Sequence, residues 1–175
     1  NYTAIIIFND LRIDTFCIEI CCVHVGNETD FALDGDGFFA ISFTDKAGNT
    51  SVKYTRDGAF TINTQGYLVT KDGDYVLNAN GALNSDPGQA NYIRLDPNQD
   101  VTVDELGNVY QNNQVVARLG VVNVADYDYI EHYGENMYQL VQGGQIKASD
   151  AKVNQGFIEM SNVNVVNEMV DMITI

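Results

Sequence analysis

Phe31-Ala32-Leu33-Asp34-Gly35-Asp36-Gly37-Phe38-Phe39-Ala40-Ile41-Ser42-Phe43-Thr44 decides the fold class. Phe39, Ile41 and Phe43 alternate with Ala40, Ser42 and Thr44, the period-two pattern of a strand with one face buried and one face wet. The tandem Asp-Gly ahead of them is a turn signal, because both residue types tolerate positive φ. A turn feeding a half-buried antiparallel strand is therefore expected.

The same grammar extends on both sides. Asp57-Gly58, Asp72-Gly73 and Asn80-Gly81 repeat the turn, and Phe60 with Ile62 repeats the alternation. Val101 and Val103, a turn at Asp104-Glu105-Leu106-Gly107, Val109 and Tyr110, a turn at Asn112-Asn113 and the apolar run Val115 to Val124 form a second set. The spacing is too uneven for a solenoid. The expected class is mainly β, an antiparallel β-meander or barrel-like domain followed by a short C-terminal α-helix. Residues 84–92 and 142–155, rich in Gly and polar side chains, read as surface loops.

After Gln155-Gly156 the period changes. Ser161, Asn162 and Asn164 suit a helix N-cap, and Val166, Met169, Val170 and Ile173 recur at i, i+3, i+4 and i+7. That stripe predicts an amphipathic helix whose apolar face needs a partner, and these four residues are the expected partner-binding set. The domain plan is an atypical N-terminal lead-in over 1–26, a β-rich domain over 27–160 and the start of a helix over 161–175.

Composition narrows the chemistry. The 175 residues hold 24 acidic and 9 basic side chains, a formal charge of −15. Such a surface repels phosphate backbones and anionic membranes, so nucleic acid is not an expected partner. Fifteen Gly, 2 Pro, no Trp and 18 Phe plus Tyr suit short strands joined by glycine turns. Cys17, Cys21 and Cys22 cluster near the start, and no second Cys/His cluster follows to complete a four-ligand zinc site. The apolar run Ile5-Ile6-Ile7-Phe8 is too short to span a bilayer and lacks the flanks of a cleaved leader.

No catalytic constellation emerges, and neither an enzyme nor a cofactor is expected. Asp34 and Asp36, with Asp30 nearby, read as solvated turn residues rather than paired catalytic carboxylates. Asp34-Gly35-Asp36-Gly37, Asp45 with Asn49, and Asp72 with Asp74 cluster oxygen ligands as calcium loops do, but no stretch matches the twelve-residue loop ending in Glu. His24 and His132 stand alone, and Gly134 and Gly143-Gly144 lack a phosphate-loop context. Arg56, scarce in type and set at a tight turn, is expected to clasp a carboxylate across that turn. Tyr127, Tyr129, Tyr133 and Tyr138 read as core packing or a subunit contact, with stacking of sugars or bases the alternative.

Three blocks, residues 27–39, 54–60 and 155–170, match in order and spacing those of the bacterial flagellar basal-body rod proteins, which this chain resembles. The third runs Gln155-Gly156-Phe157-Ile158-Glu159-Met160-Ser161-Asn162-Val163-Asn164-Val165-Val166 into the helical stripe. The resemblance implies a non-catalytic subunit of the axial rod, related to hook protein, that is exported by the flagellar secretion machinery and sits in the basal body across the cell envelope. It implies partners among other rod and hook subunits, met through terminal helices that pack as coiled coils. Residues 1–26 depart from the family pattern, and no large inserted second β domain is present, which makes hook the less fitting member. An isolated chain with about three helical turns and no partner is expected to be monomeric. The alternative, from a different class, is a calcium- or glycan-binding β module.

Overall fold

A computed structural model describes residues 21–160 of the chain. The stripe Val166, Met169, Val170 and Ile173, the helix expected around it and the run Ile5 to Phe8 lie outside the described residues.

The chain order is β1 (Cys21–His24), β2 (Phe31–Asp34), β3 (Phe38–Thr44), β4 (Thr50–Thr55), β5 (Thr61–Ile62), β6 (Leu68–Val69) and β7 (Tyr75–Val76), then the helix α1 (Ala79–Asn84). There follow β8 (Thr102–Val103), β9 (Asn108–Gln111), β10 (Gln114–Arg118), β11 (Val121–Val124), β12 (Ile130–Tyr133) and β13 (Met137–Leu140). The described part ends with β14 (Ile146–Ala148), β15 (Lys152–Gln155) and β16 (Phe157–Met160). All pairings among these strands are antiparallel. The main-β, antiparallel expectation holds, but the barrel does not. The largest sheet is an open path of β12-β13-β4-β3-β7-β6-β5, with β11 added beside β3 and β14 beside β11. A three-stranded sheet β10-β9-β8 and the pairs β15-β2 and β1-β16 complete the set.

β3 is the hub of the large sheet. One edge pairs with β4 over its length, while the other gives Phe38 and Phe39 to β11 and Ile41 and Ser42 to β7. Alternation sends Phe39 and Ile41 into a core with Phe31, Leu33, Phe60, Leu68, Val109, Leu119 and Val153. Phe38 and Ala40 face a second core with Tyr54, Leu77, Ala82, Val122 and Val124. The expected half-wet strand is thus buried on both faces from Phe38 to Ser42. α1 is what covers the second face, where Ala82 is fully buried. Ser42 is tolerated there because its hydroxyl donates to Pro87 O at 2.9 Å and lies 3.2 Å from the Tyr92 hydroxyl.

The Asp-Gly and Asn-Gly pairs divide into different devices. Asp72-Gly73 makes the expected hairpin turn between β6 and β7, with Gly73 at φ +93. Asp34-Gly35-Asp36-Gly37 is no hairpin, because β2 and β3 belong to different sheets and the chain changes layer there. Asp57-Gly58 joins β4 to β5, which are not neighbours. Asn80-Gly81 lies inside α1, capped by Asn78, whose side chain accepts from Gly81 N. Gly81 suits that helix because a Cβ would meet Asn91 Cβ at 2.6 Å. The run Val115 to Val124 is two strands, broken at Gly120, whose backbone lies so close to Leu77 and Asn78 that an added Cβ would come within 2.7 Å of three atoms. Residues 142–155, expected as a loop, carry β14 and β15.

Candidate functional site

The three sequence blocks meet in space. Arg56 follows the last residue of β4, and its guanidinium reaches in two directions. Nη1 donates to the carbonyls of Gly35 and Gly37, both at 2.8 Å, and Nη2 donates to Leu33 O at 3.2 Å. Nε donates to Glu159 Oε2 at 2.8 Å. The expected carboxylate clasp exists, but the carboxylate comes from β16, 103 residues onward, while the nearby turn supplies carbonyls. A planar fork with several donors suits that task, and a lysine ammonium does not.

A second fastening lies beside it. Gln155 Nε2 donates to Glu28 O at 2.7 Å and Val101 O at 2.6 Å, while its Oε1 accepts from Val103 N at 3.0 Å. Glu28 Oε2 accepts from Val101 N at 3.1 Å. Backbone bonds close the knot: Phe31 N to Gly58 O, Phe60 N to Thr29 O, and Gly156 N to Asp30 O at 2.7 Å. Thr29 Oγ1 also donates to Phe60 O at 2.9 Å. Sequence reasoning did not single out Gln155 or Glu28. Their only signal was their place inside the quoted blocks, since an amide that completes the edge of a strand leaves no periodic mark.

From this knot β1 and β16 depart as a two-stranded ribbon, with Cys21 opposite Met160 and His24 opposite Phe157. The backbone of residues 21–24, placed by the sequence in the lead-in, is therefore strand.

The remaining expected sites do not converge. Asp34 and Asp36 are exposed, and Asp30 is buried with Asn27 Nδ2 donating to it at 2.8 Å. Hydrogen bonds from Asn49, its side chain and then its backbone, together with Ala47 N–H, hold the Asp45 carboxyl below its ordinary 3.8. Burial pushes Asp104 upward, yet bonds from Asn108, Tyr110 and Leu106 outweigh it and keep that carboxyl low as well. Both carboxylates are occupied in organising their own loops. Among the described residues no group of three or more His, Cys, Asp or Glu side chains is arranged to hold a metal ion. Of the tyrosines, Tyr127 and Tyr138 share Phe38 as a neighbour, while Tyr133 lies against Phe43. Tyr138 packs on Phe38 at 5.3 Å, Tyr133 lies against Lys53, and Tyr127 and Tyr129 are 50% and 40% exposed. The calcium- or glycan-binding alternative gains no support.

Lys53 had no sequence signal, and the pair Asp72 with Asp74, noted in the sequence for its oxygen ligands, has neighbours in space that the sequence did not show. Lys53 is buried, with Nζ 4.2 Å from the Tyr133 ring centre and donating to Gln139 Oε1 at 3.1 Å, and burial pushes its pKa down from 10.5. Asp57, Asp72, Asp74 and Glu135 border a hollow of about 220 Å³. There burial first, then the charge of Asp72, raises the Asp74 carboxyl above its ordinary 3.8. A carboxyl raised on folding contributes stability that is present below its ordinary value and lost as pH rises through the raised one. Asp74→Asn is therefore expected to stabilise the protein at neutral pH, with the gain vanishing below about pH 3.8. Urea unfolding at neutral and acidic pH checks this; an equal effect at both would contradict it.

Known proteins are similar to this chain in sequence. The model described as the flagellar hook protein FlgE/F/G D1 domain matches residues 32–111, and that described as flagellar basal body rod FlgEFG protein C-terminal matches residues 154–175. The chain is 36% identical over 152 residues to the flagellar basal-body rod protein FlgF of Caulobacter vibrioides, covering 86% of this chain and 56% of that protein. It is 32% identical over 170 residues to the flagellar basal-body rod protein FlgG of Bacillus subtilis, covering 92% of this chain and 61% of that protein. FlgF of Mesorhizobium japonicum is similar at 36% over 162 residues, 87% of this chain and 58% of that protein. The chain thus spans somewhat over half the length of the curated relatives it matches. With the domain match lying over β2 to β9, the C-terminal match starting at β15 and the three blocks knotted at Arg56, the chain belongs to the family of flagellar basal-body rod and hook proteins.

Proposed function

We propose that this chain is a structural, non-catalytic subunit of the bacterial flagellar basal-body rod, whose work is to polymerise into the axial shaft. The observation that carries this reading is the pairing of β1 with β16. An antiparallel ribbon puts residues 21 and 160 at the same end, so the segments before and after the domain leave it side by side. A segment with an apolar stripe that starts beside a neighbour is placed to pack on it, and Val166, Met169, Val170 and Ile173 supply such a stripe after the ribbon.

In this reading the β domain packs outside a tube formed by the terminal segments of this and other rod or hook subunits. The protein is exported by the flagellar secretion apparatus, and its place is the basal body across the cell envelope. The domain plan of 27–160 then gains residues 21–24 as the base of the terminal pair. The relatives named FlgF and FlgG are both rod proteins, which supports rod over hook.

The 175-residue chain is expected to be monomeric by light scattering, and the protein with its native flanking sequence to form rods or oligomers visible by electron microscopy. Val166→Asp with Val170→Asp is expected to abolish that assembly while leaving the β domain folded. Persistent monomers of the full protein under assembly conditions, or undiminished assembly of the double variant, would overturn the reading.

A further inference from the structure

We propose that Arg56 is a latch that fixes the angle of the β1–β16 ribbon on the β domain, across a hinge made by Gly26 and Gly156. The inference rests on the rod-subunit reading for its purpose, since that angle would set how the β domain stands against the terminal segments.

The hinge is visible in the backbone. The ribbon joins the domain through residues 25–30 on one side and 155–157 on the other, and each crossing has a glycine in the left-handed region, Gly26 at φ +77 and Gly156 at φ +80. Gly156 O accepts from both Val25 N at 2.8 Å and Gly26 N at 3.1 Å, so two residues of one strand face one of the other. Such a bulge bends a strand pair sharply, and glycine lets the bend vary at low cost.

The latch is asymmetric. Three carbonyl contacts, to Leu33, Gly35 and Gly37, seat the Arg56 guanidinium on the domain, and one contact, Nε to Glu159 Oε2, reaches the ribbon. The domain side stays made when the ribbon side opens. Both side chains are only partly exposed, 18% for Arg56 and 22% for Glu159, so the pair is less screened than a surface ion pair. Among the described residues the other ion pair, Lys152 with Glu105, lies wholly within the domain and bears no load across the hinge. β16 also lies beside β2, and on that packing the Glu159 contact is the charged tie whose loss frees the angle while the fold stays intact; Arg56 is a positioning residue.

The test is a distance measurement on the full chain carrying Cys17→Ser and Cys22→Ser, with spin labels at Cys21 on the ribbon and at Lys46→Cys on the exposed turn between β3 and β4. Pulsed electron resonance is expected to give one narrow distance in this parent. Glu159→Gln is expected to broaden the distribution by about twofold or more, and Arg56→Lys to do the same, with hydrogen exchange in β3 and β4 unchanged for Glu159→Gln. An unchanged width in Glu159→Gln overturns the latch, as does an equal loss of protection throughout the domain, which would make the pair a plain stabiliser. Should Arg56→Lys fail to fold, Glu159→Gln alone decides. No polymer is needed, so failure here leaves the rod assignment standing, and failure of rod assembly leaves this measurement valid.

Discussion

Gly58→Ala is expected to cost about 3 kcal/mol or more of folding stability, at the severe end of single substitutions. A Cβ at this position would lie 1.8 Å from Phe31 O and 2.8 Å from its carbonyl carbon. Both atoms are backbone, so no rotamer change relieves the clash, and the strands must part. Parting them breaks the bond from Phe31 N to Gly58 O and strains that from Phe60 N to Thr29 O, the two backbone bonds that join the first block to the second beside the Arg56 and Thr29 side-chain bonds. The contrast is Gly73, at φ +93 with no atom within 4 Å of its Cβ position. There alanine pays only for the left-handed backbone, about 1–2 kcal/mol. Urea unfolding of both variants checks the ranking, and a Gly58→Ala loss no larger than that of Gly73→Ala would show that the close approach is not maintained in solution.

Gly58 also shows what the sequence could and could not reveal. Asp57-Gly58 carries the local signature of a hairpin turn, and Asp57 does behave as a turn residue, its Oδ1 accepting from Ala59 N at 3.0 Å. The glycine, however, is required by Phe31, a long way back along the chain, and a two-residue pattern contains no trace of that approach. The same holds for Gly81 and Gly120, set by contacts with Asn91 and Leu77. Where a turn closes on its own flanks, as at Asp72-Gly73, Asp104-Gly107 and Asn112-Asn113, local sequence was enough, and Asn112 and Asn113 sit at φ 51 and 60 as that turn demands.

Burial behaved likewise. Period two along β3 identified the strand and its two faces, but assigned one of them to water. Ala40 and Ser42 are small because α1 and the loop at Pro87 press on that face, and smallness reads in sequence much as polarity does. For the junction, Arg56 was legible as a clasp because arginine is rare in a chain of charge −15. Its partner was not, since Glu159 is one acid among many and only the pairing of β2 with β15 carries it to the guanidinium. Gln155 and Glu28 were silent for the same reason.

Phe39→Ala is expected to lower stability by about 3–5 kcal/mol, the range for deleting a fully buried aromatic ring. Phe39 has no solvent exposure and meets Phe60 edge-on, with ring centres 5.2 Å apart, while Phe60 leans on Phe31 at 6.1 Å. These three rings come one from each side of the β2–β3 corner and one from the stretch after Gly58, so their cluster is the apolar counterpart of the Arg56 knot. The ring also covers Gly58, with Cε2 3.0 Å from the position an alanine Cβ would take. This contact makes the pair Phe39 and Gly58 informative together. Were the ring the main obstacle, Phe39→Ala would rescue Gly58→Ala, and the double variant would be more stable than the sum of the single losses implies. The shorter approach is to Phe31 O, which deleting the ring does not move. Little rescue is therefore expected: the double variant should lose nearly the sum and be largely unfolded at physiological temperature by circular dichroism. A double variant as stable as Phe39→Ala alone would shift the constraint on Gly58 from the backbone of β2 to the ring above it.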